Sequence, residues 1–300
     1  MAIAIIDSNG YNQLKEGFYS LGGVMKFTKM HGAGNDFIIL NNMVEKIPVS
    51  ELGSLAKSLC NRRLSIGADG LMAVDFPEKD CDIKMRFYNA DGSQGEMCGN
   101  GARCIARYAW ENKLAGETQK IDTPSGIIYG WRLDSHLYKI QLPDITLMNP
   151  NCHITVLNRE IQYAYVELGE PGLPHITVKV EGLRFAETNE LLELARTLRY
   201  HAAFFKGTNV NFYEVIGENQ ARIVTYERGV EDFTLACGTG AGATAAVLTH
   251  GGKVSGDNTK INVPGGDLFV TVVKKGGRVR ELYLTGHACL VAEGEVLEYA

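Results

Sequence analysis

The sequence predicts an α/β chain of the α+β kind, built as two pseudo-symmetric halves. Each half is expected to be a curved, mostly antiparallel sheet wrapped around its own central helix. Three observations carry this. Short strand-like runs dominate the 300 residues, only a few amphipathic helices interrupt them, and one glycine–cysteine pattern occurs twice, each time opening an apolar helix.

The strand-like runs are, in order, "DFIIL", "DIKMRFY", "GIIYGWRL", "HLYKIQL", "HITVKV", "NVNFYEVI", "ARIVTYE", "DLFVTVV" and "RELYLTG". Several alternate apolar with polar residues, as strands with one buried face do. "SELGSLAKSLCNRR" reads as an amphipathic helix with Ser50 as its N-cap, and "ETNELLELARTLRYH" as another with Leu191, Ala195 and Leu198 along one stripe. Two further helices follow "CGNGAR" and "ACGTGAGAT". They share C-G-x-G-A, and their cysteines, Cys98 and Cys237, lie 139 positions apart. A helix with no polar face belongs in a core.

Composition bounds the function. At 45% hydrophobic the chain can bury a large core. A net charge of −5 argues against nucleic acid or an anionic membrane surface as partner. No apolar run approaches the ~20 residues of a membrane-spanning helix, and "MAIAIIDSNG" lacks the basic flank of a secretory signal. Seven cysteines without a C-x-x-C pair suit neither a disulfide framework nor a metal site. The expected setting is cytoplasmic, with reduced thiols and no metal. Residues 1–24 lack periodicity and read as an N-terminal extension, non-native or disordered, before a domain that starts at Met25.

The repeated cysteine motif points to chemistry. A helix N-terminus presents unpaired N–H groups and the positive dipole end, and glycines let a ligand come close. Such a site holds a carboxylate and is expected to lower the pKa of a cysteine placed there. With an amino-acid carboxylate on the amides of Gly99, Asn100, Gly238 and Thr239, its α-carbon would lie between two sulfurs. One thiolate would remove the α-proton while the opposite thiol protonates the other face, inverting the centre. The scheme needs no cofactor. Cys60, Cys81, Cys104, Cys152 and Cys289 are expected to be small core hydrophobes.

"MHGAGNDF", "NADGSQGEMCGNGARC", "YERG" and "ACGTGAGA" occur in the order found in the diaminopimelate epimerases, and the chain from Met25 to Ala300 resembles that family. The resemblance implies an isomerase, independent of pyridoxal phosphate, that interconverts LL- and meso-diaminopimelate for lysine and peptidoglycan synthesis. It implies an N-terminal domain over 25–147 joined by a returning strand at 288–300, a C-terminal domain over 148–287, and an active site in the cleft between them. It makes Cys98 and Cys237 the acid–base pair, His175 and Glu227 residues that tune the thiols, and Asn35 a residue of the substrate site. Asn89, Asn209 and Arg228, with Glu227 nearby, would hold the remote amino-acid end of the substrate, where Arg suits a carboxylate and Asn either charge. The implied partner is a small-molecule amino acid; a homodimer is compatible with everything read so far.

Three places depart from the family pattern. "GEPGLPH" stands where "GNPH" is common, placing Leu173 or Glu170 at an asparagine position; Gly70 replaces a common glutamine; Phe233 replaces an acidic residue. The alternatives are a related racemase for a single amino acid such as histidine, and a thiol redox switch between Cys98 and Cys237.

Overall fold

The computed structural model describes residues 24–95, 97–183, 185, 189–276 and 278–297. The expectation of an N-terminal extension falls almost wholly outside these residues. The first half runs β1 (Met25–Gly32), β2 (Asn35–Asn41), α1 (Asn42–Glu45), α2 (Val49–Leu59), β3 (Gly70–Asp75), β4 (Ile83–Asn89), β5 (Gln94–Gly95), α3 (Gly99–Glu111), β6 (Thr118–Thr123), β7 (Gly126–Arg132) and β8 (Leu137–Leu142). It is followed by β9 (Ile145–Val156), β10 (Arg159–Leu168), β11 (Leu173–Lys179), α4 (Asn189–Arg199), β12 (Asn209–Gly217), β13 (Gln220–Glu227) and β14 (Asp232–Thr234). The chain closes with α5 (Gly238–His250), β15 (Thr259–Val263), β16 (Gly266–Lys275), β17 (Arg278–His287) and β18 (Cys289–Val296).

The order repeats. Most neighbouring strands are antiparallel, but β2 pairs parallel with β3 and β4 with β6, and then β11 pairs parallel with β12 and β13 with β15. Parallel neighbours require a crossover, and each of these crossovers holds a helix: α2 and α3 in the first set, α4 and α5 in the second. Helix α3 packs against β1, β2, β3, β4, β7 and β8; α5 packs against β10, β11, β12, β15, β16 and β17. The strands nevertheless form one continuous sheet through the β8–β17 and β9–β10 pairings, and β9 runs unbroken across position 147. At the end of the chain, β18 returns to pair antiparallel with β1.

Burial explains why "DFIIL" is a continuous apolar run. Phe37 and Ile39 of β2 face the core around α3, whereas Ile38 and Leu40 face a second cluster under α2; Met72 and Ala73 of β3 divide the same way. A strand covered on both faces has no reason to alternate. Helix α4 covers the second half in the same manner, with Ala195 and Leu198 buried against Val210, Phe212 and Tyr226, while Leu191 is only half-buried. Helix α2 starts two residues earlier than expected: Pro48, not Ser50, holds the N-cap position, because the proline ring ends the extended segment. Among the cysteines expected in the core, Cys60 and Cys104 are buried, but Cys81, Cys152 and Cys289 are only half-buried. Those three sit at a loop, on β9 and on β18, where one side of the chain faces water.

Candidate active site

Both central helices begin at the repeated cysteines, which occupy their N-caps with extended backbone. The two N-termini meet. A methyl group placed on Gly238 would lie 3.5 Å from the Cα of Gly99 and 3.7 Å from Asn100 Oδ1, and the buried Leu284 side chain packs on both glycines. Only residues without a side chain allow this approach. Asn100 ties the tips together, its Nδ2 donating to the Ala236 carbonyl at 3.0 Å, next to Cys237. The first-turn amides of each helix, those of Gly99, Asn100, Gly238 and Thr239, have no partner within their own helix.

The thiols differ from the expectation of a lowered pKa. Burial pushes Cys98 up to about 11, although the Gly101 N–H donates to its sulfur at 3.4 Å. Burial pushes Cys237 higher still, with the Glu227 carboxylate adding to the effect and Thr239 Oγ1, 3.5 Å from the sulfur, opposing it. Desolvation outweighs the helix N-terminus because the two tips exclude water from each other. Each thiol also lies within the electrostatic field of Glu227, and Cys237 within that of Cys98. All seven cysteines are free.

Around this pair the strands supply polar side chains on one face. His175 of β11 is in parallel register with Asn209 of β12, and Asn211 pairs with Thr225 of β13, two residues before Glu227. These positions alternate with Ile176, Val210 and Tyr226, which point into the core under α4. Glu227 accepts from Thr234 Oγ1 at 3.1 Å and from the Cys237 thiol, and burial raises its carboxyl above the ordinary range. His175 is fully buried and pushed down to about 3 by burial and then by the Arg228 charge, so it is neutral. Its Nδ1 lies 3.3 Å from Asn211 Nδ2, and no bond joins it to either sulfur. The structure therefore brings Glu227 to the thiols directly, and His175 to Asn211 and Arg228.

The remaining expected residues divide. Asn35 Oδ1 lies 3.4 Å from both Cys98 Sγ and Asn100 Nδ2. Asn209 Oδ1 accepts from the Arg228 N–H at 2.9 Å, and the Arg228 guanidinium donates to the Lys206 carbonyl at 2.8 Å. Asn89 ends β4 and donates to Ser93 Oγ at 2.9 Å, with no direct bond to the others. Of the departures, Phe233 packs edge-on against Tyr226 at 5.7 Å and near Phe212, an aromatic contact where a carboxylate would have been stranded. Leu173 pairs with Leu168 at the start of β11, and Glu170 is an exposed turn residue. At Gly70 a side chain would meet the Phe87 ring and the Tyr88 carbonyl at 2.6 and 2.7 Å, so a glutamine has no room.

Sequence reasoning missed the groups that hold these residues in place. Asp69 accepts from Asn35 Nδ2 at 2.8 Å and from Arg62 at 2.7 Å, and Arg62 also binds Asp36. Burial works against the Asp36 carboxylate, yet the bonds from Arg62 and Lys29 win and pull it down to about 2. Asn211 and Thr234 play the same part for His175 and Glu227. The "GADG" stretch was the available signal for Asp69; long-range partners such as Arg62 leave none. Among the described residues no group of three or more His, Cys, Asp or Glu side chains is arranged to hold a metal, and no helix is long and apolar enough to cross a membrane.

The family model for diaminopimelate epimerase matches residues 27–136 and 169–291. A diaminopimelate epimerase from Aquifex aeolicus is 35% identical over 92% of this chain and 100% of its own length. One from Methanocella arvoryzae is 36% identical over 91% of this chain and 96% of its own. Among solved structures, a PhzF-family phenazine biosynthesis protein from Bacillus anthracis superposes with a TM-score of 0.70 at 14% identity, covering 92% of this chain and 100% of its own. A hydroxyproline epimerase from Agrobacterium vitis superposes with a TM-score of 0.68 at 16% identity, covering 91% of each chain. At those identities the two structures speak for the fold alone, whereas the sequence matches span both cysteine motifs and nearly the whole chain: it belongs to the diaminopimelate epimerase family.

Proposed function

We propose that the protein interconverts the LL and meso forms of 2,6-diaminopimelate by two-base proton transfer, serving lysine and peptidoglycan synthesis in the cytoplasm. The observation that carries this is the meeting of two cysteine-capped helix N-termini at Gly99 and Gly238. The reacting carboxylate sits on the amides of Gly99, Asn100, Gly238 and Thr239, where the dipoles favour it. Cys98 thiolate takes the α-proton, and the C–H electron pair moves into the carboxylate as enolate-like charge, which the same amides stabilise. The Cys237 S–H then delivers its proton to the opposite face, leaving Cys237 as thiolate; the reverse reaction exchanges the roles. Glu227 keeps Cys237 protonated beforehand by accepting its hydrogen bond. Asn209, Arg228 and Asn89 hold the remote amino-acid end, and every group in the scheme comes from this chain.

The test is exchange in heavy water with LL-diaminopimelate and no added pyridoxal phosphate. The native protein is expected to incorporate one deuterium at the inverted α-carbon and to form the meso isomer. Cys98→Ala and Cys237→Ala are each expected to lower epimerisation by about 10³-fold, within the range ascribed to a positioned acid or base, with unchanged circular dichroism. Normal turnover by either variant would falsify the two-base assignment.

A further inference from the structure

Helix α3 carries an arginine where the repeat gives α5 a glycine. Arg103 and Gly242 stand five residues beyond Cys98 and Cys237 respectively. Arg103 is fully buried. Its Nη2 donates to Asn100 Oδ1 at 3.0 Å and its Nη1 to the Gly99 carbonyl at 3.4 Å, while Nε has no partner. Among the described residues no carboxylate pairs with it. Room for it is kept by two glycines: a side chain on Gly32 would come within 3.1 Å of Nη2, and one on Gly286 within 3.2 Å of Nε and Cζ. On α5 a side chain at Gly242 would instead press on Leu142 at 2.6 Å.

A buried cation without an anion is costly to fold around, and a guanidinium does not escape the cost by losing its proton. Three sulfurs lie within its field: Cys98, Cys104 and Cys289. Cys104 is sealed in the core, and Cys289 belongs to β18, where it pairs with His31 of β1. Cys98 alone of the three caps α3 at the site. The other charged or titratable groups facing Cys98 are Glu227, Cys237 and Cys104, and a Glu227 or Cys237 anion opposes its ionisation. The Glu227 carboxyl thus opposes ionisation of both thiols, whereas of the two only Cys98 has the buried cation behind it.

We propose that Arg103 is a positioning residue that makes Cys98 the thiol to ionise first, its proton passing to solvent, and that holds the Asn100 amide in the one orientation that bridges the helix tips. With Asn100 Oδ1 held by the guanidinium, its Nδ2 is turned toward Ala236 and Asn35. This inference rests on the two-base reading above and adds its direction of rest.

The test is alkylation of the full-length protein by iodoacetamide from about pH 7 to 10, with Cys98 and Cys237 rates read separately by peptide mass spectrometry. In the native protein the Cys98 rate is expected to rise at lower pH than the Cys237 rate. Arg103→Met is expected to slow Cys98 about tenfold at each pH, a displacement of about one pH unit, and to leave Cys237 unchanged. Arg103→Lys, which keeps the charge but not the planar fork, should retain most of the Cys98 rate and lose turnover. A folded Arg103→Met protein with the native Cys98 rate overturns the proposal. If that variant does not fold, Cys237 ionising ahead of Cys98 in the native or Arg103→Lys protein does so instead. The readout is taken without substrate, so its failure is separate from failure of the exchange experiment.

Discussion

Cys98 and Cys237 share a motif but not an environment, and the difference shapes how rate depends on pH. The base form of Cys98 is scarce near neutrality because burial lifts its pKa to about 11. Since kcat/KM reports ionisations of the free enzyme, it is expected to climb about tenfold per pH unit between roughly pH 6 and 8.5. The acid, Cys237, lies higher still and stays protonated throughout, so no falling limb from it enters that window. Initial rates across the range check this; a flat profile would place the essential base elsewhere. The carboxylate of Glu227 contributes to the separation, because it repels an anion on Cys237 while accepting the thiol's hydrogen bond.

At the scale of single elements, the ends of strands do the holding. β13 ends at Glu227, and Arg228 follows it with its N–H on Asn209 and its guanidinium over the segment before β12. Arg228→Ala is expected to raise KM for diaminopimelate by about tenfold or more, since a charged bond to carboxylate is worth roughly 1.5–3 kcal/mol. Exchange at the α-carbon of a small monocarboxylic amino acid should barely change. Equal losses on both substrates would make Arg228 a structural residue. β2 begins with Asn35 and Asp36, which Asp69, Arg62 and Lys29 clamp from one side. Asp36 has its pKa below the ordinary value, so its contribution is present in full above about pH 4 and is lost as pH falls through about 2. It amounts to about 1–2 kcal/mol after allowance for solvent screening. Chemical denaturation of native and Asp36→Asn proteins should therefore differ at pH 7 and converge near pH 2.

Over the whole molecule, the two repeats touch at more than the helix tips. The Ala33–Gly34 turn between β1 and β2 meets the segment that leads to Cys237: the Leu235 side chain lies where a Gly34 side chain would be, and the Gly265 N–H donates to the Leu235 carbonyl at 2.8 Å. A methyl group on Gly265 would fall 1.8 Å from the Ala33 carbonyl oxygen, a backbone atom that cannot turn aside. Gly265→Ala is thus expected to push the turns apart, lowering the melting temperature by several degrees, as about 1–2 kcal/mol does in a chain of this size. KM should rise with kcat less affected. A variant with native KM and melting temperature would show that the turns already separate freely. The hydrogen-bonded sheet reinforces the same contact from behind, since β17 spans both sets of strands and β18 returns to β1.

The sequence by itself determined the repeat, the strands and the pair of sulfurs, because glycine spacing and apolar periodicity are local properties that survive without coordinates. Each of the nine strand-like runs falls on a strand, four of them overrunning it by one residue, and both C-G-x-G-A stretches open buried helices. Strands such as β9 and β10 were less legible: half their residues face outward, and long partly exposed strands carry mixed patterns. Only the tertiary structure decided the electrostatics. Helix-terminal position alone argued for acidic thiols, but the closeness of the two tips buries Cys237 and half-buries Cys98, and desolvation reverses the sign. It also decided which residues act through others, Asp69 through Asn35 and Arg103 through Asn100, since these partnerships depend on which side chains packing leaves without water.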